Sequence, residues 1–136
     1  MIQKIMRDQF FLQQKSEPAT EADRQVVIDL LDTLKANEER CIGMAANMIG
    51  VKKRIIAVAV EPISFVMINP VITKKSGKYE TEEGCLSLDG ERACTRYKRI
   101  EVDYLDQDFK KQYGEYAGAV AEVIQHECDH LEGILI

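Results

Sequence analysis

The only two histidines of this 136-residue chain stand four positions apart, in His126-Glu127-Cys128-Asp129-His130. On a helix that spacing puts both imidazoles on one face, about one turn apart, where they can grip a single metal ion. The glutamate between them can then accept a proton from an attacking water. A pair of surface histidines near a helix end is the competing reading, and it is the weaker one in a chain that uses histidine nowhere else. A helix of this kind constrains the fold, because two imidazoles alone make a loose site and a further ligand must be carried to them. Beyond His130 only Glu132 could ligate, and two positions along it falls on a different face. The third ligand is therefore expected from upstream, as a thiolate or a carboxylate. Cys85, in Glu82-Glu83-Gly84-Cys85-Leu86-Ser87, is the leading candidate.

The length fits one domain, residues 1–136, able to bury roughly two-thirds of its unfolded surface in a single core. A net charge of −5 leaves no overall basic footprint for nucleic acid. The local clusters Lys52-Lys53-Arg54 and Arg96-Tyr97-Lys98-Arg99 read as solvated strand ends. No apolar run approaches the ~20 residues that span a membrane. Met1 to Asp8 is interrupted by charge too often for a signal peptide, so a cytoplasmic location is expected. The four cysteines are then expected reduced, with Cys41, Cys94 and Cys128 as buried thiols rather than disulfide partners.

Helices are expected at both ends and strands between them, an α+β pattern. Thr20 to Asp23 looks like a capping box, after which Val26, Val27, Leu30, Leu31 and Leu34 recur at helical spacing. Cys41 to Gly50 reads as a loop. Arg54 to Val60 and Phe65 to Ile68 read as strands bounded by Pro62 and Pro70, and Ser76-Gly77 as a turn between extended pieces. Arg99 to Leu105 alternates as a strand, turned back at Asp106-Gln107-Asp108 toward Lys110 to Tyr116. The last helix is expected from about Ala117 to Leu131, stopped by Gly133. Val120, Ile124 and Leu131 would anchor it in the core on a face apart from the histidines.

Three segments together carry a family resemblance. Glu83-Gly84-Cys85-Leu86-Ser87 and His126-Glu127-x-x-His130 resemble the paired motifs of peptide deformylases. Cys41-Ile42-Gly43-Met44-Ala45-Ala46-Asn47-Met48-Ile49-Gly50 echoes that family's glycine-rich segment, in the same order along the chain. Gln125 and Leu131-Glu132-Gly133, flanking the helix motif, also match.

The resemblance implies small, mostly antiparallel sheets packed around a metal-binding helix. It implies one divalent ion on Cys85, His126 and His130, most often iron(II), with zinc, nickel or cobalt able to take the same ligands. It implies hydrolysis of the N-formyl group of nascent peptides that begin with formylmethionine, with Glu127 moving the proton and the Leu86 N–H meeting the developing oxyanion. Substrate would lie as an added strand between Ile42 and Gly43 on one side and Gly84 on the other, with Val123 in the methionine pocket. Glu83 reads equally as an orienting group or a surface carboxylate.

The departures are as informative as the matches. Met48 stands where the family has the glutamine whose amide steadies the oxyanion, and a thioether has no hydrogen to donate. Loss of one such donor typically costs on the order of 10²–10³ in rate. Asn47, in place of proline, brings an amide one residue early. Cys41, Met44 and Asp89 replace a glycine, a leucine and a proline. These changes admit an alternative to a working deformylase: a catalytically weak homologue that binds peptide N-termini or senses metal or redox state. A general metalloprotease is disfavoured, because a thiolate ligand softens the metal and a formamide is easier to attack than an internal peptide bond.

Overall fold

A computed structural model describes every residue from Met1 to Ile136. The strand Ile55–Val60 (β2) shows why the chain folds as it does. Its run Ile-Ile-Ala-Val-Ala-Val is apolar on both faces, so both faces must be covered. Ile55 and Ala57 turn toward the helix Arg24–Ala36 (α2), packing with Leu30, Leu34, Met44 and Ile68. Ile56 and Val58 turn the opposite way, toward the helix Gly118–Leu131 (α3), packing with Met67, Val102, Ile124 and Leu131. A short first helix, Gln9–Leu12 (α1), precedes α2.

Five antiparallel strands run in sequence order across one sheet: β1 (Gly43–Ala45), β2, β3 (Ile63–Cys85), β4 (Leu88–Leu105) and β5 (Lys111–Ala117). The α+β expectation holds, with one continuous sheet in place of separate small ones. The expected capping box is present: the Thr20 hydroxyl accepts from Ala22 N–H and the Asp23 carboxylate accepts from Thr20 N–H, opening a 3₁₀ turn that leads into α2. Gly133 ends α3 at φ +78°, where its N–H donates to His130 and that of Ile134 to Asp129, a Schellman stop.

Three expectations need correction. Pro70 does not end a strand; β3 passes through it on a register shift between Ile68 and Val71, which spares the ladder a residue without an N–H. Ser76-Gly77 is no turn either, since Ser76 pairs with Arg99 and Lys78 with Tyr97 across an unbroken ladder. Gly77 takes φ +77°, so the glycine bends the strand without interrupting it. The segment expected as a loop from Cys41 to Gly50 contains β1 and a 3₁₀ turn, Ala46–Ile49. The long hairpin of β3 and β4 therefore turns only at Leu86 and Ser87, and Cys85 stands at its very tip.

Candidate metal centre

Helix α3 and the hairpin tip meet beside β1. The Cys85, His126 and His130 ligand atoms lie within 4.8 Å of one another, and both imidazoles are buried. The two Nε2 atoms are 3.0 Å apart. His126 turns its Nδ1 to the Glu83 carboxylate at 2.6 Å, which fixes the tautomer and leaves Nε2 as a bare lone pair. Two facing lone pairs at that distance repel unless a proton or a cation lies between them. Burial works against charge on His126, but hydrogen bonding to Cys85 and Glu83 outweighs it and raises its pKa. Burial and the neighbouring His126 charge depress His130. A thiolate and two imidazoles make a donor set that suits a borderline divalent cation.

Glu127 points to the same place. It is buried, and its Oε1 has no hydrogen-bond partner within the protein, which leaves it free for a group entering the cleft. Burial raises its pKa to about 7. A carboxyl poised there is suited to taking and returning a proton near neutral pH.

Glu83 is no surface carboxylate. Besides holding His126 it accepts from Arg96 through Nε at 3.0 Å and Nη2 at 2.7 Å. Its own burial opposes ionisation, yet the His126 and Arg96 hydrogen bonds keep its pKa well below the usual range. Arg96 also donates to Asp129 at 2.7 Å, tying β4 to α3. Sequence reasoning placed Arg96 on a solvated strand end, but it is 3 % exposed. Arg96 pairs across the ladder with Tyr79, on a strand whose Glu83 faces the same side, and only that pairing identifies it. Gln125 bonds both backbone groups of Tyr97, its Oε1 accepting from the N–H at 2.8 Å and its Nε2 donating to the carbonyl at 2.8 Å.

A cleft of about 550 Å³ opens over this centre. Ile42, Gly43, Gly84, Leu86 and Val123 all line it, as do Cys85, His126 and Glu127; His130 is outside the lining, with its Nε2 3.0 Å from that of His126. Gly43 is required by this approach: a Cβ there would overlap Val123 and sit 3.1 Å from Glu127 Oε2. Ile124 is fully buried in the core and away from the cleft lining.

The wall made by the 3₁₀ turn is different. Met48 lines the cleft, and its Sδ lies 3.4 Å from the Ala45 N–H. Asn47 is no substitute donor, because its Nδ2 donates to the His130 carbonyl at 2.9 Å and it is fully buried. Cys41 is half-buried and on the cleft, contrary to a plain core thiol. It donates to the Gly43 carbonyl, and burial together with the Glu127 charge pushes its pKa up to about 12. Cys94 and Cys128 are half-buried thiols whose pKa is raised, chiefly by burial. No helix is long and apolar enough to cross a membrane.

Comparison with known proteins gives a consistent result. The family model described as polypeptide deformylase matches residues 2–136. A peptide deformylase of Clostridium beijerinckii is 57% identical over 136 residues, all of both chains. One from Thermomicrobium roseum is 41% identical over 82% of this chain and 68% of its own. Among solved structures, a peptide deformylase from Legionella pneumophila superposes with TM-score 0.88 at 31% identity, covering 99% of this chain and 83% of that one. A peptide deformylase from Synechococcus elongatus in complex with actinonin gives 0.87 at 31% identity, covering 98% and 75%.

Proposed function

The chain belongs to the polypeptide deformylase family and is a metal-dependent hydrolase of N-formyl groups; we propose that it does this work with Cys85, His126 and His130 as ligands and Glu127 as the proton carrier. The observation that carries the reading is the unpartnered Glu127 carboxylate, buried beside three convergent ligand atoms. A divalent ion held there supplies Lewis acidity to water and to the formyl carbonyl.

The residues supply the rest. Glu127, near pKa 7, accepts the proton of the attacking water and returns it to the departing amine. Glu83, held ionised by Arg96, keeps the His126 Nδ1–H in place and so directs Nε2. The Leu86 N–H meets the carbonyl oxygen as it becomes negative. Ile42, Gly43 and Gly84 bind the peptide backbone as an added strand, and Val123 contacts the first side chain. Substrates are formylated nascent peptides met in the cytoplasm, and the ion is iron(II), with zinc, nickel or cobalt fitting the same donors. The whole of 1–136 acts as one unit.

Met48 favours one second reading, a weakly catalytic homologue that binds peptide N-termini or senses metal or redox state, because it brings no donor to the cleft. Turnover of a formyl-methionyl peptide by metal-replete protein under anaerobic conditions separates the two. Formate release in proportion to bound metal is expected. Stoichiometric metal and peptide binding without formate would install the second reading instead.

A further inference from the structure

Residues 6 and 7 touch both walls of the cleft. The Met6 N–H donates to the Met48 carbonyl at 2.7 Å, on the wall made by the 3₁₀ turn. One residue on, Arg7 Nη1 donates to the Leu86 carbonyl at 2.7 Å, on the hairpin tip, and its Nη2 pairs with Asp89 at 2.8 Å. The same segment is anchored by Ile5, which packs against the α2 side of the core. Nothing in the reaction described above requires these contacts, and Asp89 is one of the chain's departures from its family's motif.

The Leu86 carbonyl belongs to the peptide whose N–H is that of Ser87, and this N–H lies 3.4 Å from Cys85 Sγ. A guanidinium on the oxygen of a peptide polarises it and strengthens donation from its N–H. The contact also fixes the backbone on the C-terminal side of Leu86, whose own N–H lies on the other side of the same Cα. We propose that Arg7 is a positioning residue for this reaction: it holds the Leu86–Ser87 peptide so that Ser87 donates to the Cys85 sulfur and Leu86 presents its N–H to the cleft. Asp89 orients the guanidinium, the planar fork serving both oxygens at once. The proposal rests on the metal-ligand and Leu86 roles given above.

Arg7 is about half exposed and Asp89 almost fully so, so the pair is open to screening by salt and its removal leaves the core intact. The test compares wild type with Arg7→Ala, Arg7→Lys and Asp89→Asn, each loaded with cobalt(II). For Arg7→Ala, kcat should fall on the order of fivefold with KM nearly unchanged, the size of one exposed charge-assisted hydrogen bond. The thiolate-to-cobalt charge-transfer band should shift, because the sulfur has lost a donor, while the melting temperature stays within a degree or two. Arg7→Lys should recover part of both signals, since an ammonium reaches one oxygen but not both. Asp89→Asn should fall between wild type and Arg7→Ala. Salt should slow the wild type and leave Arg7→Ala unaffected. An unchanged kcat and an unchanged band in Arg7→Ala would overturn the proposal, as would a loss that tracks melting temperature alone. If wild type binds cobalt but releases no formate, the function reading fails first, and the band shift alone still tests the Arg7 contact.

Discussion

The two walls of the cleft are built on opposite principles. On the α3 and hairpin side, buried polar groups answer one another: Arg96 serves Glu83 and Asp129, Glu83 serves His126, and Gln125 closes on Tyr97, while Glu127 Oε1 is left without a partner. On the 3₁₀ side, Met48 offers a thioether, Cys41 spends its hydrogen on the Gly43 carbonyl, and Asn47 turns its amide away to His130. The ligand wall is charged and tied to three elements, while the facing wall is soft and its donors are already engaged. The two sets of side chains meet at one direct bond, the Asn47 amide on the His130 carbonyl.

Glu127→Gln gives the largest break. Metal content should match wild type, since Glu127 makes no contact that the ligands need, while formate release should fall by roughly 10²–10⁴, the range for losing a proton carrier. Metal analysis beside turnover checks it, and a parallel loss of metal would move Glu127 into the ligand network. Met48→Gln asks whether the soft wall limits the rate. A gain in kcat approaching ~10² is expected if no other group has taken over the donation, with KM and metal content steady. No gain in an already fast enzyme would mean that backbone donors suffice on this wall.

Glu83→Gln tests the charged wall. The amide can no longer hold the His126 Nδ1–H as a carboxylate does, and Arg96 loses a buried partner, so metal affinity should weaken about 10–100-fold in a chelator competition. Asn47→Ala gives the smallest effect and the cleanest contrast. It should cost about 1 kcal/mol of stability, the size of one lost hydrogen bond to a His130 carbonyl that still accepts from Gly133, and leave kcat unchanged. A large fall in kcat would show that the Asn47 amide reaches the cleft during turnover.

Much of the ligand wall was legible because its residues are close in sequence or carry rare side chains. A four-residue spacing of the only histidines needs nothing but helical geometry to be read. The strands either side of Pro70 and Gly77 were misdivided for a local reason: both residues usually break structure, and only the β4 partner decides whether a bulge or a bend absorbs them. Arg96 was misread in the same way. A run of basic residues on an exposed strand looks solvated until the carboxylates opposite it are known.

What the sequence determined by itself is the chemistry on offer: a helix with two imidazoles and a carboxylate on it, and an upstream thiol, with the family resemblance adding that a thioether stands at Met48 in place of an amide. These follow from side-chain identity and from the 3.6-residue helical repeat, which are local properties. Only the tertiary structure decided which ring nitrogen Glu83 faces, where Asn47 spends its amide, and that Arg7 reaches Leu86 from 79 positions away. Hydrogen bonds over such separations depend on how the sheet twists and which helix covers which face, and no periodicity along the chain encodes that pairing.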